Sequence, residues 1–73
     1  MSGVDTIPEY LARMRRKDRE KHGFDGGWRT TAEIAEFYGI KPANARRKLH
    51  GLRAAGEIDS AWDDNVLVWR SLA

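Results

Sequence analysis

Apolar positions recur with a helical period in three stretches of the chain and with a period of two in a fourth. Ile7, Tyr10, Leu11 and Met14 stand at i, i+3, i+4 and i+7, the spacing that lines one face of a helix. Thr6 precedes them, Glu9 lies three residues on and Pro8 falls in the first turn, a capping-box start. The pattern predicts a helix over 7–22, with Gly23 as its stop and Phe24 folding back as the apolar contact of that stop. A second helix is predicted over 30–39. Thr30 and Glu33 repeat the capping box, Ile34, Ala35, Phe37 and Tyr38 form the stripe, and Gly39 supplies the left-handed exit. A third is predicted over 42–55, opened by Pro42, with Ala45, Leu49 and Leu52 at i, i+4 and i+7. Ile40 plugs the corner between the last two, and Ala35 is small where they cross.

The period changes after Gly56. Residues 57–70 alternate and break at Asp63-Asp64-Asn65-Val66, which reads as a β-hairpin. A two-residue turn at Asp64-Asn65 pairs Trp62 with Leu67 and Ser60 with Trp69. Ile58, Trp62, Leu67 and Trp69 then share one apolar face, and Asp59, Ala61, Asp63, Val68 and Arg70 the other. A slip of one residue would split the tryptophans between faces, so burial argues for this register, with the tryptophans as core and sheet cover. Trp28-Arg29 is too short to stand alone as a strand. Three helices and a C-terminal hairpin make an α+β, mainly helical chain: a frayed leader over 1–5 and one domain over 6–73.

The distribution of charge separates the elements. The formal net charge is only +2, yet residues 9–21 carry six basic and three acidic groups, residues 41–53 five basic and none acidic, and residues 57–65 four acidic and none basic. On the third helix, Ala43, Arg47, His50 and Ala54 point away from the core stripe, flanked by Asn44, Arg46 and Gly51. The second and third helices have the spacing of a helix-turn-helix, whose second helix enters the DNA major groove. That context turns a basic helix face from ordinary solvated surface into a candidate DNA-reading surface.

Residues 28–70 resemble the winged helix-turn-helix domains of small prokaryotic transcriptional regulators of the multiple-antibiotic-resistance type. The resemblance rests on Thr30, Glu33, Ile34, Ala35, Gly39, Ile40, Arg47, Leu49, Leu52, Gly56 and Ile58. The chain departs at Lys41, where the family favours a serine cap, and at Asn44 and Ala45, where Thr-Val is usual. The resemblance implies a winged helix, with 42–55 as recognition helix, 57–70 as wing, and Trp28-Arg29 as the short strand that pairs with the wing. It also implies that the wing tip meets DNA backbone or minor groove. Here the tip carries Asp63 and Asp64, which repel phosphate, so the wing is expected to stay off the DNA or to serve a protein partner.

The expected function is sequence-specific binding of double-stranded DNA, as a transcriptional regulator or mobile-element accessory factor. Ala43, Asn44, Arg46, Arg47 and His50 are the candidates for base contacts, because Arg matches guanine and Asn matches adenine in the major groove. Thr30, Thr31, Lys41, Lys48 and Arg53 are placed for phosphates. Arg15, Arg16 and Arg19 on the first helix are as well suited to phosphate as to simple solvation. The alternative is a winged-helix protein-interaction module. No enzyme, cofactor or metal is expected. The chain has no cysteine, no paired histidines, no glycine-rich loop entering a helix and no serine beside a base. No signal peptide or membrane span is read, which leads to an expected cytoplasmic, nucleoid-associated location; the expected state is a monomer or weak homodimer.

Overall fold

The computed structural model describes residues 6–24 and 26–72. The leader read at 1–5 lies outside them. The order is α1 (Ile7–His22), β1 (Arg29–Thr30), α2 (Thr31–Tyr38), α3 (Pro42–Ala54), β2 (Ile58–Asp63) and β3 (Val66–Ser71). Three helices followed by an antiparallel hairpin, with a short first strand added to its side, form an α+β fold of winged-helix-like topology.

Local chemistry sets the helix starts. Thr6 Oγ1 accepts from the Glu9 amide at 3.3 Å while the Glu9 carboxylate accepts from the Thr6 amide at 2.9 Å. Thr30 and Glu33 make the same exchange at 3.1 and 2.8 Å. Each box satisfies two amides that helix geometry leaves without partners. α3 begins differently. Lys41 makes no side-chain cap, as its departure from serine predicts, and Pro42 alone marks the start. α2 ends at Gly39, and the Ile40 amide donates to the Ala35 carbonyl at 3.0 Å, which turns the chain sharply into α3.

Leu11, Ile34, Leu49, Ile58 and Trp69 are fully buried at the centre, with Ile7 and Tyr10 beside them. Met14, Tyr38, Leu52 and Leu67 pack on this cluster from outside. Phe37 is half exposed; its ring stacks on Tyr10 at 4.2 Å rather than entering the core.

The sheet order is β1-β3-β2, and β2 pairs with β3 so that Trp62 faces Leu67 and Ser60 faces Trp69. Asp64 and Asn65 both take positive φ, 55° and 70°, the conformation a two-residue hairpin turn requires. The register is the one that burial selected, but the burial it was meant to achieve is only partly realised. Trp62 shares the face of Ile58 and Trp69 yet is 72% exposed. Residues 62–66 around the turn are all exposed, so no helix covers the sheet face at that end, and an open groove separates it from α3. On the opposite face Val68, expected outside, is 7% exposed. It lies on the central strand, paired to Thr30 and Ala61 on its two sides, and Trp28 and Ala61 share its side of the sheet. Trp28 itself precedes the short strand, which is Arg29–Thr30 and not Trp28-Arg29. Its ring lies under the Arg70 guanidinium at 4.4 Å.

The second half of α1 is held by polar groups where its apolar stripe ends. Asp18 Oδ1 and Oδ2 accept from the Arg29 guanidinium at 3.1 and 3.0 Å, and Oδ2 accepts from the Gly27 amide at 2.7 Å. Arg15 Nη1 donates to the Ser71 carbonyl at 2.9 Å. The basic half of α1, whose Arg15, Arg16 and Arg19 suit phosphate and solvent alike, is thus tied to the loop before β1 and to the end of β3. Both side chains of the Asp18–Arg29 pair are about one-fifth exposed, at 21% and 20%, so solvent screens this pair less than a surface one.

The hydrogen bonds from Arg29, aided by the Gly27 amide, hold the Asp18 carboxyl well below the usual carboxylate range, at about 2. A carboxyl whose pKa is depressed by folding stabilises the fold fully above its unfolded pKa of about 4, and that stabilisation fades as pH falls towards the folded value. Wild type should therefore lose stability over Asp18→Asn between about pH 4 and pH 2. Urea midpoints across that range test this. A wild-type advantage that stays constant down to pH 2 would remove Asp18 from the acid response.

Candidate nucleic-acid interface

α3 presents its candidate residues on three sides. Ala45 and Leu49 face the core and are fully buried. By helical spacing Ala43, Arg47 and Ala54 point directly outward, while Arg46, His50 and Arg53 turn towards the hairpin and Asn44 and Lys48 towards the start of α1. Ala43, Asn44, Arg46, Arg47, Lys48, His50 and Arg53 are all exposed, as is Lys41 at the helix start. With no acid between Lys41 and Arg53, every full charge on this surface is positive.

Two clefts flank the helix. On the hairpin side, Thr30, Thr31 and Ala32 from the start of α2, Arg46 and His50 from α3, and Trp62, Asn65, Val66 and Leu67 from the hairpin line an open groove of about 540 Å³. On the other side Lys48 borders an apolar cleft with Ile7, Pro8, Tyr38, Ile40 and Leu52. The fold thus brings Thr30, Thr31, Arg46 and His50 together in the groove, and leaves Lys48 across the helix from them.

The groove is braced from beneath by Trp69. Its indole N–H donates to Thr31 Oγ1 at 2.9 Å, and its ring meets the His50 ring edge-on at 5.2 Å. A hydroxyl that accepts from an indole keeps its own hydrogen to donate. Thr31 can therefore still offer a hydrogen bond into the groove. Thr30 is in part committed, since its oxygen caps Glu33.

Arg15, Arg16 and Arg19 lie with Ala12 along a shallow depression on α1, apart from the groove and lined by no α3 residue. Arg15 is engaged with Ser71. Arg16 and Arg19 are exposed. Sequence reasoning missed the hairpin wall of the groove, formed by Trp62, Asn65, Val66 and Leu67, and the part played by Trp69. The sequence pattern makes Trp62 sheet cover, Trp69 core without its bond to Thr31, and Asn65 only a turn residue. The hairpin register carried the signal for Trp62, because it placed that residue one pair from the turn, at the open end of the sheet.

Among the described residues no group of histidine and carboxylate side chains is arranged to hold a metal, and no helix is long and apolar enough to cross a membrane. Comparison with protein-family models, curated proteins and solved structures finds no match for this chain.

Proposed function

We propose that the protein binds double-stranded DNA sequence-specifically, with α3 in the major groove, and serves as a transcriptional regulator or mobile-element accessory factor. The observation that carries this reading is the exposed, acid-free basic surface of α3, mounted on a tight helix-turn-helix and flanked by a groove with hydroxyl, guanidinium and imidazole groups. Arg47, directed straight outward, is the leading base reader, with Asn44, Arg46 and His50 beside it and Ala43 close enough for apolar contact with thymine methyl. Lys41, Lys48, Arg53, Thr30 and Thr31 hold phosphates on the two flanks of the helix. The uncapped start of α3 adds the positive end of a helix dipole. Arg16 and Arg19 lie on another part of the surface, where they add at most long-range attraction.

A second reading, a protein-interaction module, is favoured by one feature: the exposed carboxylates of Asp63 and Asp64 at the hairpin tip repel phosphate. Salt separates the two. DNA binding through several phosphates weakens steeply and log-linearly with salt on any duplex. Selection from a random duplex pool then yields the preferred site. On that site Arg47→Ala should cost about 1–3 kcal/mol, and much less on random duplex. Lys48→Ala should weaken both about equally and reduce the salt slope by about one charge. If both variants remain folded and bind like wild type on every duplex, α3 is not the reading element and the protein-interaction reading takes its place.

A further inference from the structure

We infer that Trp62 is the nucleic-acid contact of the hairpin, the apolar wall against which the sugar and base edge of a DNA strand packs; the inference rests on the DNA-binding reading above. Of the three tryptophans, Trp69 is fully buried and Trp28 lies beneath Arg70, so both have work within the fold. Trp62 is 72% exposed and lines the groove beside α3. Large exposed aromatics carry a disproportionate share of binding energy where a partner covers them.

The groove has two chemically different walls. Thr31, Arg46 and His50 supply hydrogen-bond donors on the helix side, and Trp62, Val66 and Leu67 form an apolar side on the hairpin. A nucleic-acid strand has the same asymmetry, with phosphate oxygens along one edge and deoxyribose and base along the other. Asp63 and Asp64, next along the chain from Trp62, fix the orientation because like charges cannot share a site cheaply. Phosphates must face Thr31 and the start of α2, and the sugar and base edge must face the indole, with Arg46 and His50 left to the bases. The hairpin thus touches DNA through the side of its strand, while its acidic tip is held off. Packing of an aromatic ring on sugar or base is tolerant of sequence. Trp62 therefore supplies affinity common to all duplexes, whereas Arg47 supplies discrimination.

The test uses the full chain, an end-labelled random duplex and the selected duplex, with Trp62→Ala and Trp62→Phe. Thermal midpoints of both variants should equal that of wild type, because the exposed ring adds little to the core. Affinity of Trp62→Ala should fall about ten-fold on both duplexes, and Trp62→Phe should recover most of it. Wild-type tryptophan emission should change when duplex is added. The emission of Trp62→Phe, from Trp28 and Trp69 alone, should respond far less. Duplex binding by Trp62→Ala equal to wild type overturns this contact and leaves the DNA reading standing. No salt-sensitive duplex binding by wild type overturns both. Unchanged duplex binding, together with loss of wild-type self-association or of binding to a lysine-rich peptide, assigns Trp62 to a protein partner and also overturns the inference.

Discussion

Gly27→Ala is expected to cost roughly 3–5 kcal/mol, much of the stability available to a chain of this length. Gly27 has φ +86°, and a Cβ placed there would lie 2.5 Å from Arg15 Cβ and 2.6 Å from Arg15 Cα. The obstruction is the backbone of α1, so no change of rotamer relieves it. Either the helix or the loop must move, and each movement breaks the Gly27 amide to Asp18 bond and strains the Asp18–Arg29 pair. Gly23 is the control. It also has positive φ, +77°, but nothing lies within 4 Å of its Cβ position. Gly23→Ala should therefore cost only the conformational penalty of about 1–2 kcal/mol. Chemical denaturation followed by far-ultraviolet dichroism measures both. Equal losses would show that conformation alone matters at Gly27 and that α1 is not packed tightly on the loop.

The contrast between these glycines shows where the sequence is readable. Gly23 ends a stretch with a capping box at its start and an apolar stripe along its length, so its role follows from its immediate neighbours. Gly27 sits in an unpatterned loop, and its constraint is the helix that lies across it. The same division runs through the fold. The Thr6–Glu9 and Thr30–Glu33 boxes, the turn through Gly39 and the Asp64-Asn65 hairpin follow from spacings of a few residues. The Asp18–Arg29 clasp and the exposure of Trp62 follow from which elements the fold sets side by side, and no local period contains that.

The candidate site divides in the same way. The outward placement of Arg47 and the sideways placement of Arg46 and Lys48 follow from helical geometry once Ala45 and Leu49 are recognised as core. The far wall of the groove is supplied by Trp62, Asn65, Val66 and Leu67, brought opposite α3 only by the folding of the hairpin. A helix period can therefore nominate a reading surface but cannot say what stands across from it.

Trp69 joins core to groove, and its replacement separates stability from function. Trp69→Ala should cost roughly 3–5 kcal/mol, as truncation of a buried aromatic does. It would empty the site where β3, the central strand, meets Ile34 and Leu49. That variant tests the fold alone. Trp69→Phe tests the site, because phenylalanine keeps most of the apolar volume but cannot donate to Thr31. It should cost about 1–2 kcal/mol of stability and should lower duplex affinity several-fold, because Thr31 loses the bond that fixes its hydroxyl. Thr31→Val removes the other end of the same bond and the hydroxyl with it. If Trp69 acts on DNA through Thr31, the double variant should bind no more weakly than Thr31→Val alone, a coupling visible in a double-mutant cycle. Additive losses in the cycle would mean that Trp69 supports the groove through packing on His50 and the sheet, and that the Thr31 hydroxyl finds its orientation without the indole.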